Sequence, residues 1–306
     1  KRSPEGRVEE VLGHKGDPGI EILAIIKSHG LPTAFSPASL SAAGRIAAEV
    51  GADELKGRRD LRGLPAVTID AEDAKDLDDA VHVERRPNGH YLLGVHIADV
   101  SYYVRENSPL DEEARERGTS VYLVDRVLPM LPPRLSNGIC SLNAKVDRLT
   151  LSATMEIDPR GNIVRYELFP SVIRVCARLS YDIVRRILAE DDEELKREYA
   201  PLIGQLADME RLCHILRQRR LRRGAIDFDF PEIKVKLDAA GRPVAVEKRL
   251  RSIAESIIEE FMLAANETVA EHMDRLGVPF VFRVHEEPEP EKMARLNTLL
   301  HSFGQG

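Results

Sequence analysis

The chain has 306 residues and a hydrophobic fraction of 43%, enough for one large or two smaller globular cores, and no apolar run approaches the ~18 residues of a membrane span. Its formal net charge of −7 argues against nucleic acid as a partner on composition alone, since such proteins usually carry a basic excess. Three scattered cysteines, Cys140, Cys176 and Cys213, form no CxxC pair; they argue against a zinc ribbon or disulfide framework and read as small buried hydrophobes in a reducing, cytoplasmic setting.

The N-terminus lacks the apolar stretch of a signal peptide, and both ends read as cut from a longer chain. Residues 7–13 suggest a strand and residues 14–19 a turn-rich loop, followed by an apolar helix over 20–29. Ser36-Pro37 starts a helix as N-cap and first-turn proline, with Gly51 as its expected stop. Residues 60–65 break the pattern. From Ala66 the chain becomes strand-rich, with strands over 66–70 and 80–85 flanking an acidic cluster. Pro87-Asn88-Gly89 turns the second into a strand over 90–99. Ser108-Pro109 opens a short helix that Gly118 closes, and residues 149–158 and 163–168 make a second hairpin. Helices follow over 181–188 and 193–223, the latter interrupted at Pro201. A third hairpin pairs 233–237 with 243–248. Ser252 and Glu255 then form a capping box ahead of a helix that Gly277 ends. Strands and helices mix without the alternation of a doubly wound sheet, so α+β or irregular α/β is the expected class.

The acidic cluster carries most of the chemical information. Six of the ten residues in 70–79 are Asp or Glu, opposed only by Lys75. Carboxylates this dense repel one another unless a cation bridges them. Hard oxygen donors without Cys or adjacent His select Mg²⁺, Mn²⁺ or Ca²⁺ over zinc. An EF-hand fails, because no register offers Gly at position six with Glu at twelve. A merely solvated acidic loop fits poorly, since the acids sit tightly between two strands rich in β-branched residues. An open carboxylate site of this kind implies phosphoryl chemistry at Mg²⁺, with Mn²⁺ as a substitute.

The cluster's pattern, T-I-D-x-E-D-A-K-D-L-D-D-A-V over 68–81, resembles the catalytic (RNB) domain of the ribonuclease II/ribonuclease R family, nearest its bacterial ribonuclease R branch. The resemblance continues in order through residues 95–104, 117–132, 135–143, 223–228, 259–266 and 283–288. It implies an RNB-type domain over 63–306, a bent antiparallel sheet surrounded by helices. Residues 36–62 would be a helical linker. Residues 11–19 resemble the tail of an OB-fold cold-shock domain, assigned to 1–35.

The resemblance also implies roles. Asp70, Asp76, Asp78 and Asp79 match the four family aspartates that hold one or two Mg²⁺ ions for two-metal phosphodiester cleavage. Asp78 is the position expected to be most sensitive for cleavage, while Glu72 and Asp73 serve the loop. Tyr122 matches the aromatic that stacks on the terminal base, and Phe228 a second aromatic clamp. From the residues alone, core packing is the ordinary role of either. Glu260, or its neighbour Glu259, matches a glutamate near the 3′ ribose, with a solvated helix position as the alternative. His285 is a candidate for lining the RNA path. The arginine run 217–223 fits a helix C-terminus capped by Gly224, and His96 and Asp99 fit buried, hydrogen-bonded roles.

The implied activity is processive 3′→5′ hydrolysis of single-stranded RNA to nucleoside 5′-monophosphates by a monomer, with RNA-decay proteins as possible partners. The family's T-S-P-I-R-R-Y segment and its S1 domain fall outside these residues, so cleavage by this stretch alone is not expected. The alternatives are a catalytically incomplete RNA-binding relative and an unrelated Mg²⁺ phosphohydrolase. Retention of all four aspartates argues against the first, and the paired aromatics against the second.

Overall fold

The computed structural model describes residues 6–14, 16–226, 232–249 and 251–305, which fall into two units, Lys1–Ala265 and Asn266–Gly306. The first unit opens with α1 (Ile20–Ser28) and α2 (Pro37–Arg45). Ser36 caps α2 by accepting from the Ser39 N–H at 3.1 Å, with Pro37 in the first turn. Residues 6–14 form no strand, contrary to expectation. Helix α2 also stops well short of Gly51. Gly44 weakens its last turn, and Ile46 turns extended with ψ 132°.

Seven strands then build one sheet: β1 (Arg59–Asp60), β2 (Val67–Asp70), β3 (Asp79–Arg85), β4 (Tyr91–Ala98), β7 (Asp147–Ile157), β8 (Ile163–Arg174) and β9 (Ala177–Ser180). Between β4 and β7 lie α3 (Val100–Tyr103), α4 (Pro109–Arg117) and a separate ribbon, β5 (Val121–Tyr122) with β6 (Val127–Leu128). The sheet order is β1-β8-β7-β4-β3-β2-β9. The central pairings are antiparallel, as expected, but the outermost ones, β1 with β8 and β2 with β9, are parallel. The sheet is therefore mixed: β9 follows β8 after only two residues, yet it pairs with β2 at the other end of the strand order.

Helices α5 (Tyr181–Ala189), α6 (Glu193–Glu198) and α7 (Ile203–Arg222) follow, with Pro201 marking the break between α6 and α7. Next come the hairpin β10 (Glu232–Leu237) with β11 (Pro243–Arg249), then α8 (Ile253–Leu276). The Ser252–Glu255 capping box forms. One sheet face, with Val67, Ile69, Val83, Leu93 and Met155, packs on Leu206, Met209 and Leu212 of α7 and Ile257 and Phe261 of α8. Each such buried side chain contributes about 1.5–3 kcal/mol. Helix α9 (Pro290–Ser302) lies in the second unit.

The opposite face is partly polar. His82 and His96 stack there at 5.2 Å between ring centroids, and His82 lies against Gly94, where an added Cβ would come within 2.0 Å of the imidazole. His96 has the buried, hydrogen-bonded role expected of it, meeting His82 at 3.0 Å and the Ser152 hydroxyl at 2.6 Å. Asp99 is buried in an ion pair with Arg58 at 2.6 Å. Cys140 and Cys213 are buried, but Cys176 is exposed, against the uniform reading of the three. Among the described residues no helix is long and apolar enough to cross a membrane.

Candidate metal centre

The acidic cluster is the connection between β2 and β3. Asp70 ends β2 beside Ser180 of β9, and Asp79 begins β3 opposite Ile97 of β4. Between them Leu77 is fully buried against Ala80, Ala98, Leu142, Ile173 and Val175. In the run Asp76-Leu77-Asp78-Asp79 the leucine is thus the inward anchor that leaves its flanking carboxylates at the surface. The backbone here is held from outside the loop. Ser141 Oγ accepts from the Leu77 N–H at 3.0 Å and donates to the Lys75 carbonyl at 2.9 Å, and the Leu142 N–H donates to the Leu77 carbonyl at 2.8 Å. Ser141 is itself held by the buried Arg148, whose Nε donates to its carbonyl at 2.8 Å. On the other side Arg178 donates to the Glu72 and Ala74 carbonyls at 2.8 and 2.7 Å. Glu72 therefore serves the loop through its backbone.

Asp70, Asp78 and Asp79 are electrostatically strained. Burial first, and then the charges of Asp79, Asp78 and Asp76 against the opposing Arg178, push the Asp70 carboxyl up to about 7. Burial and Asp78 push Asp79 up to about 6. Asp78, exposed along much of its side chain, is raised by desolvation of its carboxyl and by Asp76. Among the described residues, one oxygen each of Asp70 and Asp79 is buried without a hydrogen-bond partner. Buried carboxylate oxygens without donors are costly, and a hard cation is the partner their chemistry fits. Among the described residues no three His, Cys, Asp or Glu side chains converge as a ready-made cage. The arrangement is an open set of carboxylates, the kind Mg²⁺ accepts when water and phosphate oxygens complete its shell.

Tyr122 stands beside this loop. It is 65% exposed on the β5–β6 ribbon, and its hydroxyl donates to Asp76 Oδ2 at 2.6 Å. That bond is the main cause raising the Tyr122 phenol to about 12. Its exposure goes against the core-packing role that the residues alone suggest, and its link to Asp76 spans 46 residues and left no local signal. Ser141 lay within the quoted motif at 135–143 without an assigned role, and only its hydroxyl geometry supplies one.

The remaining candidates separate from this group. Phe228 lies outside the described residues. Glu260 is not a solvated helix residue: it is 3% exposed and receives Arg220 of α7 through Nε at 3.0 Å and Nη2 at 2.6 Å. Its carboxylate is committed to that pair, and Glu259 is the more open of the two, paired with Arg251. Gly224, with φ 95°, follows the end of α7 as expected. His285 is exposed in the second unit.

A family model described as the RNB domain matches residues 58–305, and one described as a cold shock domain matches residues 1–36. The chain is 52% identical to ribonuclease R of Thermotoga maritima over 306 residues, 99% of this chain and 43% of that protein. It is 49% identical to ribonuclease R 1 of Lactococcus lactis over 300 residues, 98% of this chain and 37% of that protein. The chain thus spans about two fifths of the length of these relatives. The structure of Mycoplasma genitalium RNase R in complex with ribose-methylated single-stranded RNA superposes with a TM-score of 0.88 at 32% identity, covering 96% of this chain and 45% of that one. An aspartate loop carried between β2 and β3 of this mixed sheet, together with the match over 58–305, shows that the chain belongs to the ribonuclease II/ribonuclease R family of RNB-domain proteins.

Proposed function

We propose that the protein is a cytoplasmic, Mg²⁺-dependent 3′→5′ exoribonuclease that hydrolyses single-stranded RNA processively to nucleoside 5′-monophosphates. The observation that carries this reading is the pair of donor-less buried oxygens on Asp70 and Asp79 within an open set of mutually repelling carboxylates. Relatives at 49–52% identity carry the name ribonuclease R, and a structural neighbour at 32% identity is bound to single-stranded RNA.

Asp70, Asp76, Asp78 and Asp79 hold one or two Mg²⁺ ions, with Mn²⁺ able to replace them. When bound, the cation neutralises phosphate charge and makes a coordinated water more acidic. The chain's own residues set the stage for that chemistry. Asp70 and Asp79 present their oxygens from strand ends, where the sheet fixes their direction. Leu77 and Ser141 keep the intervening loop from collapsing inward. The exposed Tyr122 ring offers a face to the 3′-terminal base, in a contact worth ~1–3 kcal/mol and tolerant of sequence. Phe228 supplies the second face, the more open Glu259 the ribose contact, and His285 part of the RNA path. The full-length protein works as a monomer.

The test uses the full-length protein, 3′-labelled single-stranded RNA and Mg²⁺. Release of the label as a mononucleotide is expected, and Asp78→Asn abolishes it while the RNA remains bound. Unchanged release by Asp78→Asn overturns the reading.

A further inference from the structure

We infer that Tyr122 is a positioning residue for Asp76: its hydroxyl orients that carboxylate toward the cation site, while its ring remains free for the RNA end. The inference rests on the metal reading above and adds a role that stacking does not require.

The geometry argues for it in three ways. First, the hydrogen bond is short and charge-assisted, 2.6 Å from the Tyr122 hydroxyl to Asp76 Oδ2. Second, packing does not explain the side chain's position. Tyr122 is 65% exposed, and its ribbon is anchored by other residues: Leu128 and Leu131 are buried, and the Met130 N–H donates to Ser120 Oγ at 2.9 Å. Third, among the described residues the Tyr122 hydroxyl is the one side-chain hydrogen bond to the Asp76 carboxylate, whose neighbouring backbone is held by Ser141 at the Lys75 carbonyl and the Leu77 N–H. The hydroxyl is the contact that selects a rotamer for the carboxylate. With Oδ2 engaged by Tyr122, Oδ1 is left for the cation. Hydrogen bonds of this outer kind tune affinity, and their loss typically weakens metal binding 10–100-fold. The RNA platform and one cation ligand therefore form a single mechanical element, although they are 46 residues apart in sequence.

Tyr122→Phe separates the two roles, because it keeps the ring and removes the hydroxyl. Its exposure means the substitution leaves the fold intact. The full-length protein is titrated calorimetrically with Mn²⁺ alone, and separately with a single-stranded RNA oligomer in EDTA. Tyr122→Phe is expected to bind Mn²⁺ ~10-fold more weakly while its metal-free RNA affinity matches wild type. Tyr122→Ala loses affinity for both. Wild-type Mn²⁺ affinity in Tyr122→Phe overturns the positioning role alone. Wild-type Mn²⁺ binding no stronger than that of Asp70→Asn overturns the metal reading and this inference with it.

Discussion

Asp70 at the end of β2 and Asp79 at the start of β3 each have one carboxylate oxygen buried and without a donor among the described residues, and after burial the Asp79 charge is the largest influence raising Asp70. Two strand ends have been brought together against their own electrostatics. The cost is carried by the folded state, and the proposed cation would relieve it.

Without a cation, that cost has a definite sign. Asp70 has a folded-state value of about 7, above its ordinary 3.8, so its contribution is favourable below pH ~4 and is lost as pH rises toward 7. In EDTA at pH 7.5, Asp70→Asn is expected to be more stable than wild type by ~1–2 kcal/mol, and the advantage fades toward pH 4. Mg²⁺ is expected to stabilise wild type and to leave Asp70→Asn unmoved. Urea denaturation at the two pH values, with and without Mg²⁺, reads all three effects.

Ser141→Ala removes the acceptor of the buried Leu77 N–H and the donor to the Lys75 carbonyl in one step. A buried donor left unsatisfied costs ~1–3 kcal/mol. The variant is expected to lose that much stability in urea and also to bind Mn²⁺ more weakly, since the loop carries Asp76 and Asp78. Ser141→Thr retains the hydroxyl and serves as the partial rescue. A stability loss with wild-type Mn²⁺ affinity would show that the loop backbone does not control the ligands.

The stacked His82–His96 pair makes the sheet acid-sensitive. Burial pushes His82 down to about 4, and burial with His82 as neighbour pushes His96 down to about 3, both below the ordinary 6.5. A depressed histidine stabilises the fold fully above pH 6.5, and that stability is lost as pH falls toward 4. A loss of ~1–3 kcal/mol between pH 7 and pH 5 is expected, and His82→Asn shows a shallower slope. Denaturation midpoints measured across that interval provide the check.

Gly94→Ala tests the same pair sterically, because the added methyl would meet the His82 ring at 2.0 Å. Overpacking of this kind costs ~1–3 kcal/mol or more. The double variant His82→Ala/Gly94→Ala should recover part of the loss, a non-additivity expected of residues in direct contact. Strict additivity in a double-mutant cycle would refute the contact as the cause.

Arg220→Leu strips the guanidinium from a glutamate that is 3% exposed. Removing one partner of a buried pair costs ~3–5 kcal/mol, so a large drop in thermal stability is expected. Glu260→Gln in the same background should restore much of it by removing the stranded charge.

Much of this protein was legible locally. Ser36, Ser108 and Ser252 announce helix starts, Pro201 breaks a helix, and Pro87-Asn88-Gly89 closes a hairpin, because caps and turns depend on a few adjacent residues. The density of carboxylates in 70–79 was likewise visible without any fold, since like charges so close in sequence are close in space. Long-range partnership was not legible. The parallel edges of the sheet, the burial of Glu260 under Arg220, the exposure of Cys176 and the hydroxyl of Tyr122 on Asp76 each depend on segments 40 or more residues apart. Periodicity and propensity reach only one turn or one hairpin, whereas these contacts arise when a packed sheet and its helices bring distant side chains within hydrogen-bonding range. The sequence alone therefore determined that the carboxylates gather in one loop, while the tertiary structure decided which oxygens face inward, which residues hold them there, and that an aromatic from a separate ribbon reaches one of them.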